Sequence, residues 1–172
     1  MTVRFSTPRP IAAADDVDKF DCGEPDLNEW LRKRALANHT TGATRTFVTT
    51  PSGEDRVVGY YALAAAGVKR SDVPKGIGNG QPSMIPVILL ARLGVDQNHQ
   101  GLGLGAQLLR DAIARTVSTS EQVGVRAMLV HAMHDRARDF YVHFEFEASP
   151  TDPLHLYLLM QDARAAMGHL HS

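Results

Sequence analysis

Apolar and polar positions change rhythm several times along this chain. Val3 to Ser6 alternates and predicts a short strand. Pro25 and Asp26 open a helical stretch in which Leu27, Trp30, Leu31 and Ala35 fall near helical spacing, with Arg32, Lys33 and Arg34 on the rest of its surface. Asp26 followed by Glu29 reads as a capping box, and Gly42 as the end of the helix. Thr44 to Thr50 and Val57 to Val68 predict two strands joined through Pro51, Ser52 and Gly53 as a hairpin. Ser71 to Met84, rich in glycine and proline with almost no apolar residue able to pack, predicts a mobile surface loop.

The second half is more apolar. Val87 to Val95 is a dense run that predicts a central strand covered on both faces. Leu104, Leu108, Ala112 and Ile113, with Leu109 and Val117 beside them, mark a helix. Ala127 to His131 predicts a short buried strand, Ala137 to Phe144 a short helix, and His155 to Met160 a last strand. This order implies an α/β (α+β) fold, a mixed central sheet of about six to seven strands flanked by helices, in one domain over residues 1–172.

Composition narrows the classes. The chain has 172 residues, 44% of them apolar and 22% charged, as in globular proteins that bury one core. A net charge of −1 does not by itself call for nucleic acid, so any polyanion would have to meet a local basic patch. Cys22 is the lone cysteine; it has no partner for an internal disulfide or a CxxC site, which points to a reducing, cytoplasmic setting. No signal-peptide run is present, and no stretch approaches the roughly 20 apolar residues of a membrane span.

The chemistry concentrates after the apolar strand, where Gln100 leads into Gly101, Gly103 and Gly105 and a helix starts at once. Glycines there let backbone N–H groups approach a ligand, and the helix start adds unpaired donors, so the segment suits a phosphate or pyrophosphate. A P-loop would need lysine and a hydroxyl after the last glycine, and neither follows Gly105. A dinucleotide site is matched by Gly101, Gly103 and Ala106, with Glu121 near the spacing of a ribose-binding acid. Yet Glu121 precedes the next strand, and Asp96 to Gln100 separates the strand from the glycines where a tight turn is needed. A glycine-rich helix start with no ligand is the third alternative.

Gln100 to Gly105 also resembles the Gln/Arg-x-x-Gly-x-Gly/Ala loop of the GNAT acetyltransferase superfamily. That resemblance implies the GNAT fold and acetyl-CoA as cofactor. The loop Gln100, Gly101, Leu102, Gly103, Leu104, Gly105 and Ala106 would hold its pyrophosphate, and Leu93, Gly94 and Val95 would offer strand backbone to the pantetheine arm. His131 to Phe146 is similar to the family's later motif, which Asp135, Ala137, Phe140, Tyr141 and Phe146 fit; Glu145 stands where the family has glycine. Asp135, Ala137 and Phe140 join the implied cofactor site. Tyr141 is then the implied catalytic acid, donating its phenol proton to the departing thiolate, with the Val95 N–H supporting the oxyanion. The alternative for Tyr141 is a buried aromatic that packs its helix. His131 and His134 match no zinc signature.

Phe20-Asp-Cys-Gly-Glu-Pro-Asp-Leu-Asn-Glu-Trp-Leu, Thr44-Arg-Thr-Phe-Val, Val58-Gly-Tyr-Tyr-Ala-Leu and Val87-Ile-Leu-Leu-Ala-Arg-Leu-Gly-Val-Asp together resemble the GNAT toxins of bacterial type II toxin–antitoxin systems. What this implies is acetylation of the α-amine of the amino acid on charged tRNA, which blocks translation. It also implies a homodimer, a cognate ribbon-helix-helix antitoxin, and operator DNA bound only through the antitoxin complex. For tRNA the candidates are Arg92 first, because it interrupts an apolar strand and needs a partner or an open cleft, then Arg45, Arg32, Lys33 and Arg138. Arg34, Lys69, Arg70 and Arg136 are further basic positions. A small amine, a protein N-terminus, or CoA binding without turnover are the competing functions.

Overall fold

The computed structural model describes residues 3–170. In chain order the elements are β1 (Arg9–Pro10), α1 (Pro25–Lys33), α2 (Ala35–Thr41), β2 (Arg45–Thr49), β3 (Gly59–Lys69), α3 (Lys75–Gly78), β4 (Met84–Val95), α4 (Leu104–Ser120), β5 (Ala127–His131), α5 (Asp135–His143), β6 (Glu147–Ala148), β7 (His155–Leu159) and α6 (Met160–Leu170). The strands form one sheet in the order β1-β2-β3-β4-β5-β7-β6. β4 and β5 run parallel, whereas β1–β2, β2–β3, β5–β7 and β6–β7 are antiparallel. The expected mixed α/β sheet is present, with seven strands among the described residues.

The chain divides into two compact units, each discontinuous in sequence. One takes the chain up to Ala64 together with Ala91–Ala112; the other takes Ala65–Leu90 and the chain from Ile113 on. The first unit packs Phe20, Leu31, Ala35, Val48, Val57 and Tyr60 into a core. Tyr60 is fully buried, donates to the Leu27 carbonyl at 2.8 Å, and stacks on Trp30 with ring centroids 6.1 Å apart. These contacts dock α1 onto β3. At β3, a Cβ on Gly59 would lie 2.9 Å from Leu108 Cδ1 and 3.0 Å from Thr49 Cγ2, so a larger residue there would have to displace those side chains. The second unit packs Val73, Ile77, Ile85, Val87, Ala127, Leu129 and Tyr157 together.

Several expectations are corrected. Val3 to Ser6 is not a strand; Phe5 makes a single bridge to Pro51, and the pairing strand is Arg9–Pro10. The first helix is two, broken at Arg34, whose φ of −123° leaves the helical region. The Asp26–Glu29 capping box does not form, because proline prefers the first helical position and Pro25 takes it, which makes Glu24 the N-cap without a side-chain bond. Ser71 to Met84 is not a bare loop. Val73 and Ile77, four residues apart, are both buried against Ile85 and Val87, and a single helical turn carries Ile77. β4 starts already at Met84, and α6 follows β7 directly, with Met160 and Ala163 buried.

Candidate active site

The first unit carries the glycine loop. β4 delivers Leu93, Gly94 and Val95, and Gly94 packs beside Cys22 and Phe20, where a Cβ would lie in ordinary contact at 3.4 Å from Cys22 Sγ and 3.5 Å from the Phe20 ring. After one 3-10 turn over Gln97–His99 the chain reaches Gln100. Gly101 and Gly103 have φ of +79° and +82°, in the left-handed region that side chains resist, and a Cβ at either would meet nothing within 4 Å. Conformation therefore demands these glycines while the space around them stays open. Leu102 at the tip is exposed and Leu104 is buried as α4 begins. Alternating left-handed residues ahead of a helix start turn successive N–H groups outward, the arrangement that receives phosphate oxygens.

A polar knot holds the loop from the N-terminal side. Asp96 is buried; its Oδ2 accepts the Asp21 N–H at 3.1 Å and its Oδ1 the Asn98 N–H at 3.0 Å. Asp21 in turn accepts the Gly23 N–H and the Asn28 side-chain amide, both at 2.9 Å, and Asn28 accepts the Cys22 N–H at 2.9 Å. The Gly23 bond is the main reason the Asp21 carboxyl sits below its ordinary value. Gln100 Nε2 closes the knot on the carbonyls of Val95 (2.9 Å) and Cys22 (3.3 Å). Gln100 is therefore tied to backbone at the start of the glycine loop. The Asp21, Asn28 and Asp96 set was missed by sequence reasoning, although the Asp-Cys-Gly…Leu-Asn-Glu-Trp stretch was its visible trace. Burial pushes the Cys22 thiol up, which keeps it unreactive.

The basic candidates spread over both units. Arg92 finds its partner in Trp30, its guanidinium lying 4.9 Å from the ring centroid. Arg32 donates to the Phe20 carbonyl at 2.9 Å, and Lys33 pairs with Glu29 at 2.7 Å one turn back on α1. Arg45 is exposed and donates to the His39 carbonyl at 2.8 Å. Arg138, in the second unit, faces Asp135 and Asp139 at 3.5 Å each. The structure thus gathers Arg92 and Arg32 around the Phe20–Trp30 segment but does not draw all five cations into one cluster within a unit.

The second unit carries Tyr141 on α5. His134 caps that helix, its Nδ1 accepting the Ala137 N–H at 3.1 Å, and Asp135 stands exposed in the first turn. Phe140 packs edge-on against Tyr141 at 5.1 Å between ring centroids. At the other end Glu145 N–H bonds to Val142 O and Phe146 N–H to Tyr141 O, at 3.0 and 3.2 Å. That is the paired-bond cap in which the residue after the helix is left-handed, and Glu145 has φ of +73°. Glu145 thus adopts the conformation a glycine would take. The accompanying apolar contact is Phe146 on Tyr141, ring centroids 5.6 Å apart, which fixes the Tyr141 side chain. Tyr141 is buried, and burial raises its phenol well above the ordinary value, so it stays protonated throughout the neutral range. A protonated phenol can give a proton and cannot act as a base.

Residues 44–148 match the family model described as an acetyltransferase (GNAT) domain. Over 164 residues the chain is 58% identical to a tRNA-acetylating toxin of Mycobacterium tuberculosis (strain ATCC 25618 / H37Rv), covering 95% of this chain and 98% of that one. It superposes with a TM-score of 0.88 on the toxin AtaT complexed with acetyl-methionyl-tRNAfMet, at 26% identity over 95% of this chain and 99% of the other. A mutant AtaT bound to the C-terminus of the antitoxin AtaR and acetyl-CoA aligns with a TM-score of 0.81 and 24% identity, over 95% and 98% of the two chains, which shows the shared fold.

Proposed function

The chain belongs to the acetyltransferase (GNAT) family, and on that premise we propose that it is a toxin that moves acetyl from acetyl-CoA to the α-amine of the amino acid on charged tRNA. The observation that carries this is 58% identity, end to end, with a tRNA-acetylating toxin. An acetylated α-nitrogen cannot attack the peptidyl ester, so elongation stops. The cofactor is acetyl-CoA. Its pyrophosphate goes to the open N–H groups of Gln100 to Ala106, and its pantetheine arm to the backbone of Leu93, Gly94 and Val95. Asp135, Ala137 and Phe140 flank the cofactor from the start of α5.

The chemistry follows from the residues. The amine attacks the thioester carbonyl, whose oxygen gains charge and is stabilised by the Val95 N–H. The carbon–sulfur bond breaks, and Tyr141, held protonated by burial, supplies the proton to sulfur. The tRNA phosphates meet Arg92, Arg45, Arg32, Lys33 and Arg138. The partners on this reading are aminoacyl-tRNA and a ribbon-helix-helix antitoxin, with operator DNA reached only through the antitoxin complex and the toxin itself a homodimer of the cytoplasm. Among the described residues no helix is long and apolar enough to cross a membrane.

A competition assay tests the acceptor. Labelled acetyl-CoA is offered with a pool of charged tRNAs, polyamines and a peptide N-terminus together. Label recovered on the aminoacyl groups supports the reading. Label on the polyamine or peptide instead, with charged tRNA untouched, overturns it.

A further inference from the structure

The second unit contains a pocket of about 450 Å³ that the chemistry above leaves unused. Its floor is Leu129 and Tyr157 from β5 and β7, which are paired across the sheet. Two residues further toward the end of β5, the paired His131 and His155 stack face to face, ring centroids 4.0 Å apart and planes 17° apart. Asp152 Oδ2 lies 3.4 Å from His155 Nε2. Lys69 and Asp72 complete the rim, where Asp72 is tied to Thr151 Oγ1 at 3.0 Å.

We propose that this pocket receives the α-ammonium of the aminoacyl group, and that His131 takes the proton which must leave before the nitrogen can attack. The proposal rests on the acetyl-transfer reading above and adds the missing base to it. Three observations carry it. The pocket has the volume of a small-ligand site and offers two carboxylates, Asp72 and Asp152, against one cation, Lys69, which favours a bound ammonium. His131 ends β5, and only Ala132 to His134 separate it from α5, the helix that bears Tyr141. His131 itself lines the pocket, together with its stacked neighbour His155.

The stacked pair decides which imidazole is the base. Two rings 4.0 Å apart do not carry charge together at low cost. Asp152 Oδ2 lies on the His155 ring, at Nε2. Burial and the His155 neighbour accordingly lower the His131 value, Asp152 partly opposing them. Lys69 also faces the pocket and works in the same direction as His155, Asp72 in the direction of Asp152, and Tyr157 is neutral at working pH. His131 is thus a free base at pH values where the amine is still an ammonium.

An ammonium N–H bond breaks and its proton moves to His131. The freed lone pair forms the C–N bond and the C–S bond breaks. The thiolate takes the Tyr141 proton, and the second proton lost from nitrogen restores the phenol. His131 then releases its proton to solvent.

The test is a pH profile of acetyl transfer to charged tRNA, for the full-length protein and its His131→Gln and Asp152→Asn variants. For His131→Gln the expected loss is about 100-fold near pH 6. It should vanish toward pH 9, where the amine is neutral without help, while acetyl-CoA affinity is unchanged. Asp152→Asn removes the group that raises His131, so its acid limb should move to lower pH. A His131→Gln deficit that is absent, or constant across the range, overturns the proposal, as does an unmoved acid limb in Asp152→Asn. Absence of transfer to charged tRNA by the unaltered protein at every pH would instead overturn the acetyl-transfer reading beneath it.

Discussion

Glu145 and Tyr141 are set in one turn of chain, and each explains the other. The cap that ends α5 places Phe146 against Tyr141, and its geometry needs a left-handed residue at position 145. A side chain there costs about 1–2 kcal/mol relative to glycine's freedom, less the entropy glycine loses on folding, about 0.5–1 kcal/mol. Glu145→Gly is therefore expected to stabilise the protein by about 0.5 kcal/mol, a rise in Tm of about 1–2 °C in a thermal scan. Activity should be retained, since Tyr141 keeps its seat. A fall in Tm would mean that the glutamate side chain makes a contact outweighing the strain. Sequence alone located this position as a departure from the family pattern; it could not tell whether the turn had changed or the glutamate had taken the glycine's backbone. The +73° angle answers that.

At the scale of elements, the glycine loop proposed to receive the pyrophosphate is only as well placed as the knot behind it. Asp96, Asp21 and Asn28 fasten the start of the Gln97–His99 turn to the segment before α1, and Gln100 adds two more bonds. Asn28→Ala leaves the part-buried Cys22 N–H without its partner and takes one of the two donors from Asp21 Oδ1, a loss of about 1 kcal/mol. The expectation is a roughly 10-fold weaker affinity for acetyl-CoA in calorimetry with kcat nearly unchanged, because the loop shifts while Tyr141 does not. Unaltered affinity would show that the loop holds its shape unaided.

The same scale shows what periodicity could and could not deliver. The apolar run of β4, the spaced leucines of α4 and the glycine loop announce themselves locally, although β4 begins three residues ahead of its apolar run. Long-range constraints did not. Nothing in Arg34 or its neighbours marks the break between α1 and α2. Val73 and Ile77 were outweighed by the glycines and prolines around them, although their four-residue spacing alone could have indicated a buried turn. Arg92 stands out in an apolar strand as needing a partner or an open cleft; that it lies over Trp30 requires the fold, because 61 intervening positions separate them.

For the whole molecule, a net charge of −1 has to be reconciled with a polyanionic acceptor. Lys33 and Arg138 already face acidic neighbours, and such exposed pairs hold weakly, so the side chains can exchange carboxylate for phosphate at little cost. Arg45, exposed and donating to the His39 carbonyl, is open to a phosphate. Replacing Arg45 and Lys33 by glutamine is expected to reduce the salt dependence of tRNA binding, each lost phosphate contact lowering the slope of log K against log salt by about 0.7–0.9. A titration at several salt concentrations reads this directly. An unchanged slope would move the tRNA to another face.

The central claim is that this chain acetylates the α-nitrogen of charged tRNA with Tyr141 as proton donor. Its most direct test is single-turnover transfer from labelled acetyl-CoA to a pool of charged tRNAs by the unaltered protein and by Tyr141→Phe, with the product located by mass spectrometry of the released aminoacyl-adenosine. The account predicts acetyl on the α-nitrogen, and a rate lower by about 100-fold or more in the variant with acetyl-CoA still bound. Equal rates for the two proteins, or acetyl-CoA consumed with no label on any aminoacyl group, would contradict it.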